Sequence, residues 1–242
     1  MKKIIFLALS LSILTVAFSQ TKKDWSKVNL SNQAADHFMV QLSSDHWANM
    51  PDSISSHQSG FSRGLNIYVM INKPFKTDPR WSVAFGIGVG SSNIFFQGVD
   101  IKLNQTGTTS LPFTNVDSSS SGHFKKYKLA TSFLEIPIEL RYTFNPEKQR
   151  KSWKLALGIK AGTMLDAHTK GKTLLAANGN VINTYTEKIS STTFFNTSRL
   201  CGTFRVGYGN FSLFTSYQLT SMFKTGGADI KTYQVGLCIS GL

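Results

Sequence analysis

Phe133-Leu134-Glu135-Ile136-Pro137-Ile138-Glu139-Leu140-Arg141-Tyr142-Thr143-Phe144 alternates without a break. Leu134, Ile136, Ile138, Leu140, Tyr142 and Phe144 fall on one side of an extended chain, with Phe133, Glu135, Pro137, Glu139, Arg141 and Thr143 on the other. Successive side chains of a strand point to opposite faces, so this stretch is a strand with one greasy face. Trp81, Val83, Phe85, Ile87 and Val89 alternate in the same way with Ser82, Ala84, Gly86, Gly88 and Gly90. The same division recurs over 37–46, 60–72, 152–165, 193–208, 211–222 and 229–242, which makes eight strands. No helical stripe of period 3.6 is sustained from His37 onward.

The connections differ in length in a regular way. Residues 73–80, 145–151 and 209–210 are short turns, whereas 47–59, 97–128, 166–192 and 223–228 are longer. Short turns gather at one end and long loops at the other, the plan of a transmembrane barrel with tight periplasmic turns and extended external loops. The two-residue turn Gly209-Asn210 fixes register, placing Val206 opposite Leu213, Arg205 opposite Phe214 and Gly202 opposite Tyr217. The greasy and polar faces stay separate throughout that hairpin.

Alternation alone also fits a soluble β-sandwich or a lipocalin-like barrel that is greasy inside. The polar face decides for the membrane form. Glu135, Glu139, Arg141, Lys154, Lys160, Arg199 and Arg205 lie on it, separated by Gly86, Gly88, Gly158 and Gly162. An eight-stranded barrel has barely room inside for its own side chains, so small residues there make space for long charged ones. A luminal ion-pair network is therefore expected. Trp81, Tyr142, Phe144, Trp153, Tyr208 and Phe211 all fall near the short turns, as an aromatic girdle at the membrane surface does. The fold class is all-β, an eight-stranded antiparallel up-and-down transmembrane β-barrel spanning residues 37–242.

Composition agrees. The chain has 242 residues, 41% hydrophobic and 16% charged, which excludes disorder, and its 2 cysteines exclude a disulfide-stapled mini-protein. At the amino terminus Lys2 and Lys3 precede an apolar run from Ile4 to Phe18, and Ala17-Phe18-Ser19 has the small-x-small pattern of a cleavage site. Fifteen helical residues reach only about 22 Å, short of the roughly 30 Å hydrocarbon core. Residues 1–19 are thus expected to be a signal peptide cleaved before Gln20, followed by a periplasmic leader over 20–36. The formal charge of +13 becomes +11 once Lys2 and Lys3 are removed.

Ala35-Asp36-His37-Phe38-Met39-Val40-Gln41-Leu42, Gly60-Phe61-Ser62-Arg63-Gly64 and the stretch from Phe133 to Tyr142 resemble the PorT-like outer-membrane β-barrel family of Bacteroidetes-type bacteria. The resemblance covers roughly residues 30–242, and its specific part is the F-L-E-I-P-I-E-L-R-Y core. It implies an outer-membrane location and an accessory part in protein secretion, and it implies no activity. The chain departs from many barrels in ending on Leu242 rather than on an aromatic residue.

Glu135 and Glu139 invite a paired-carboxylate reading. Four residues along a strand span about 13.6 Å, however, against the roughly 5–9.5 Å that glycosidase chemistry uses. A turn over 145–151 would set Lys160 opposite Pro137, diagonal to both glutamates, so ion pairs are the expectation. The histidines 37, 46, 57, 123 and 168 show no metal-ligand spacing, and no cofactor is expected. Asp45-His46 and Asp166 with His168 sit near the external rim, where a rim-active lipid-A- or peptide-modifying enzyme would keep catalytic groups; loop polarity is the favoured account. Cys201 and Cys238 share the luminal face with one strand between them, about 9.6 Å apart and beyond disulfide reach. Lys125, Lys126 and Lys128 cluster at the external end of the fourth strand as possible lipopolysaccharide contacts. The 97–128 loop, with its Ser118–Ser121 run, is expected to be mobile. Export and the lack of a recognition motif leave no nucleic-acid partner. The expectation is a non-enzymatic outer-membrane barrel with a structural or accessory envelope role, meeting lipid, lipopolysaccharide and envelope or secretion proteins. A lipid- or small-ligand-binding barrel is the alternative.

Overall fold

The polar face of each strand needs shelter and the greasy face needs lipid, and eight strands meet both demands by closing into a ring. A computed structural model describes residues 38–116, 122–176, 178–224 and 228–241. The expected signal peptide and leader, His37, the Asp117–Ser121 run and Leu242 lie outside the described residues. The strands are β1 (Phe38–Ala48), β2 (Arg63–Pro74), β3 (Trp81–Phe96), β4 (Val99–Ile101), β5 (Phe113–Asn115), β6 (His123–Thr143), β7 (Trp153–Leu175), β8 (Val181–Ser190), β9 (Ser198–Tyr208), β10 (Phe211–Gln218) and β11 (Lys231–Ser240).

Eight of them form the barrel, in the order β1-β2-β3-β6-β7-β9-β10-β11 with β11 returning to β1, every pair antiparallel. Closure leaves no open edge along the wall. The Gly209-Asn210 turn, with Gly209 at φ +61°, sets the expected register: Val206 faces Leu213 and Gly202 faces Tyr217. Lys160 stands opposite Pro137. The Gly241 N–H donates to the Phe38 carbonyl, so both ends of the barrel chain lie at the short-turn end.

The outside is apolar and the inside polar. Leu42, Ile87, Ile136, Leu157, Leu213 and Leu237 are each more than half exposed on the outer wall, whereas Asn66, Glu135, Glu139, Lys160, Arg199 and Arg205 are buried within. So large a continuous apolar exterior suits hydrocarbon and not water.

The long-loop end differs from expectation in three ways. First, β6 and β7 run well beyond the wall, to His123 and Leu175, and β8 pairs with that extension of β7 alone. Residues 123–128 and 166–175, expected in loops, are therefore strand. Second, β9 begins at Ser198 rather than 193 and β10 ends at Gln218 rather than 222. Residues 193–197 and 219–223 instead turn across the mouth, with Phe195 bridged to Phe223. Third, the 97–128 segment is packed where it is described: β4 pairs with β5, and Ile101 and Leu103 are fully buried. The apolar side chains of Val99, Ile101 and Leu103 supply the burial that holds it down.

A bulge in β7 sets which residues face outward at that end. Phe133 pairs with Met164 but Ser132 with Asp166, which leaves Leu165 unpaired and half-exposed. One extra residue reverses the alternation beyond it. Asp166, His168, Lys170 and Lys172 consequently lie on the outer face, and Ala167 and Thr169 are buried inside.

Candidate functional site

The lumen is the most heavily built polar region. Strand alternation aims Glu135 inward from β6, where β3 and β7 supply the glycines Gly88, Gly90 and Gly162 and β9 supplies Arg199. A Cβ on Gly90 would meet Glu135 Oε2 at 2.5 Å, Asn66 Oδ1 at 2.8 Å and Arg199 Nη2 at 3.1 Å. Glycine is therefore required there for the charged groups to meet.

Glu135 Oε1 accepts from Arg199 Nε at 3.0 Å and lies 2.8 Å from Arg199 Nη2. Its Oε2 accepts from the Tyr68 hydroxyl at 2.6 Å and from Lys160 Nζ at 3.3 Å. The Arg199 guanidinium also lies over the Phe133 ring, 3.7 Å from its centroid. Gln234 extends the network, accepting from Lys160 at 3.5 Å and donating to Asp45 Oδ2 at 3.0 Å, while Ser43 donates to Asp45 Oδ1.

A second cluster sits toward the short turns. Glu139 Oε2 accepts from Arg205 Nη2 at 2.7 Å and Arg141 Nε at 2.8 Å, and Arg205 Nη1 reaches the hydroxyls of Ser212 and Ser240. Lys160 joins Glu135 and not Glu139, so the diagonal expected toward both glutamates is made to one. Lys154 lines a small cavity beside Arg141 and Arg205, of about 20 Å³, which holds a single water at most. Each glutamate is thus held by two cations inside a filled lumen. Neither is placed to act as a nucleophile or base on an entering substrate.

Above the network the mouth is closed by an apolar cap. Trp47, Ile94, Phe96, Ile101, Leu103, Tyr127, Leu129, Phe195, Phe223 and Ile230 form one buried cluster drawn from wall and loops. The Tyr127 hydroxyl ties β4 to β6, accepting from the Ile101 N–H at 3.1 Å and lying 3.2 Å from Asp100 Oδ1. The sequence does not reveal this cap because its members are divided between strand ends and loops far apart in the chain; the alternation of Val99, Ile101 and Leu103 is the available signal.

The other residues singled out from sequence fall as follows. Trp81 packs edge-on against Tyr142 at 4.9 Å, Tyr142 meets Phe144 at 5.1 Å and Trp153 meets Tyr208 at 5.7 Å, with Phe211 exposed beside them at the short-turn end. Lys125 and Lys126 are exposed near the top of β6, whereas Lys128 is half-buried on its outer face. Asp45 is buried inside while His46 faces outward, bonded to Ser44 at 2.8 Å and stacked on Tyr233. Asp166 and His168 do share a face and are 2.7 Å apart, but among the described residues no serine is hydrogen-bonded to His168. Cys201 and Cys238 are both free and buried. Among the described residues no three potential ligands gather to hold a metal.

A closed eight-stranded ring, greasy outside and ion-paired within, defines an integral β-barrel of the outer-membrane class. The sequence matches the family model described as the outer membrane protein beta-barrel domain over residues 18–224, and the chain belongs to that family. Among solved structures it is similar to Ail, the attachment invasion locus protein of Yersinia pestis, in complex with the heparin analogue sucrose octasulfate. Identity there is 11%, covering 84% of this chain and 95% of that one, with a TM-score of 0.32. It is also similar to Ail of Yersinia pestis in a second crystal structure, at 12% identity, with 84% and 95% covered and a TM-score of 0.30. A search of curated proteins returned no match.

Proposed function

We propose that this outer-membrane barrel is a non-enzymatic, structural or accessory component of the cell envelope and not a diffusion pore. The observation that carries the reading is the filled lumen: Glu135 and Glu139, each held by two cations, lie beneath an apolar cap. A route for solutes would need those pairs broken and the cap lifted. The protein reaches the membrane through a signal peptide over 1–19 cleaved before Gln20. The short-turn end faces the periplasm and the capped end the exterior, as is usual for such barrels.

The Phe133–Tyr142 motif supports a place in the PorT-like branch, and with it an accessory part in protein secretion. The capping loops are the surface offered to envelope or secretion proteins, because the wall itself lies in lipid. Lys125, Lys126 and Lys128 at that end meet lipopolysaccharide phosphates. Trp81, Tyr142, Phe144, Trp153, Tyr208 and Phe211 form the girdle at the opposite interface.

Conductance in planar bilayers tests the reading. Purified, folded protein is expected to add no porin-like current, and a steady open-pore current overturns the proposal.

A further inference from the structure

Outside the lumen, a group of cations without carboxylate partners lies on the outer wall where β2, β3 and β6 meet. Arg63, Asn93, Phe95 and Lys128 converge there: Lys128 Nζ donates to Asn93 Oδ1 at 2.6 Å and stands 6.0 Å from the Phe95 ring centroid, with the Arg63 guanidinium 5.4 Å from the same centroid. Lys128 stands directly opposite Lys170 across the β6–β7 ladder, and Lys170 directly opposite Lys188. The β7 bulge is what turns Lys170 to this face. Like charges placed opposite one another across strands repel. Arg63 and Lys170 both reach Lys128 electrostatically. Among the described residues none of Arg63, Lys128 and Lys170 forms a salt bridge; the carboxylate of Asp166 on the same face is held by His168 at 2.7 Å and by Lys188 at 3.7 Å.

Directly below this cluster the wall is grooved. Arg63, Asn93 and Lys128, with Phe61 beside them, line the upper end of an open groove of about 630 Å³ whose lower sides are Leu42, Leu65, Val235 and Leu237. Arg63 stands opposite Ser44, a small outward residue, and Leu65 opposite Leu42. Three cations without a carboxylate fit a phosphate, and Arg63 brings the forked geometry that phosphates accept. An apolar channel running into the hydrocarbon beneath them fits an acyl chain. A soluble anion would use only the upper half.

We propose that this face binds the phosphorylated head group of an outer-leaflet lipid through Arg63 and Lys128, with Lys170 in support, while one acyl chain of that lipid lies in the groove. The proposal rests on the outer-membrane reading and sharpens its lipid partner to a stated site. The test uses purified protein, freed of bound lipid and reconstituted in phosphatidylcholine vesicles, with phosphorylated and dephosphorylated lipid A as probes and native mass spectrometry of the extracted protein as readout. Wild type is expected to prefer the phosphorylated probe by roughly tenfold, about 1.4 kcal/mol. The Arg63→Ala/Lys128→Ala double variant is expected to lose that preference, whereas Lys148→Ala/Lys151→Ala, at a turn on the other end, keeps it. Equal retention of the two probes, an unaffected double variant, or inorganic phosphate displacing the lipid at equimolar concentration overturns the proposal. Faster gel migration of each unboiled protein certifies folding. If wild type lacks that shift, the barrel reading falls and the lipid site with it, an outcome separate from a folded barrel that ignores the phosphate.

Discussion

Glu135 is fully buried yet receives Arg199, Lys160 and Tyr68. Removing its charge leaves two buried cations without a counter-ion, which costs more than removing one of its partners. Glu135→Gln is expected to destabilise the barrel by about 3–5 kcal/mol. Lys160→Met, which leaves Arg199 and Tyr68 in place, is expected to cost less, about 1–3 kcal/mol. The urea concentration at which the unboiled gel band loses its fast mobility measures both, and equal midpoints for Glu135→Gln and wild type would contradict the network's role. The inward set from Glu135 to Arg205 is visible in the sequence because alternation marks its face, and turn arithmetic places Lys160 opposite Pro137. The contacts of Tyr68, Gln234 and Asp45 are not visible there. They join residues far apart in sequence, Tyr68 reaching Glu135 over Gly88 of β3 and Asp45 meeting Gln234 only where β11 closes the ring onto β1.

At the scale of elements, the short turn between β2 and β3 is stapled by Asp78 and Arg80, 2.7 Å apart. Hydrogen bonding to the Arg80 guanidinium holds the Asp78 carboxyl below its ordinary 3.8. A carboxyl depressed by folding adds stability at and above its unfolded value, and that share is lost as pH falls through the folded value. Asp78→Asn should therefore weaken the barrel slightly at neutral pH and flatten the fall in its thermal midpoint below about pH 4. The capping segment is held by burial against the wall. Ile101→Asp puts a charge in a fully buried apolar site, a change costing several kcal/mol. Limited proteolysis is expected to cut the variant within 97–122 while its barrel keeps the fast unboiled mobility; resistance equal to wild type would show that the cap does not depend on this burial. The 97–128 segment reads from sequence as a loop because Gly, Ser and Thr dominate its middle. The apolar residues of 97–116 are too sparse to form a long periodic strand, and Val99, Ile101 and Leu103 find burial against the barrel mouth.

For the whole molecule, closure separates two solvents, lipid outside and packed side chains within. Cys201 and Cys238 report on both topology and burial, being free and shielded on the inner face. Folded protein in detergent should be inert to a thiol reagent and the denatured chain should titrate two thiols. No thiol after denaturation would mean a disulfide between the two, which the order β9-β10-β11 with its intervening strand does not allow.

By itself the sequence determined the all-β class, the eight wall strands, the hairpin registers set by short turns, and which face of each strand is polar. All of these follow from period-two alternation and turn length, which are local properties of the chain. Only the tertiary structure decided how the polar face is paired, how the mouth is capped, and which lysines share the outer wall. Those depend on contacts between residues far apart in sequence, and on the bulge at Leu165 that exchanges inner and outer faces beyond it. A single inserted residue is invisible to a local pattern but redirects every side chain that follows.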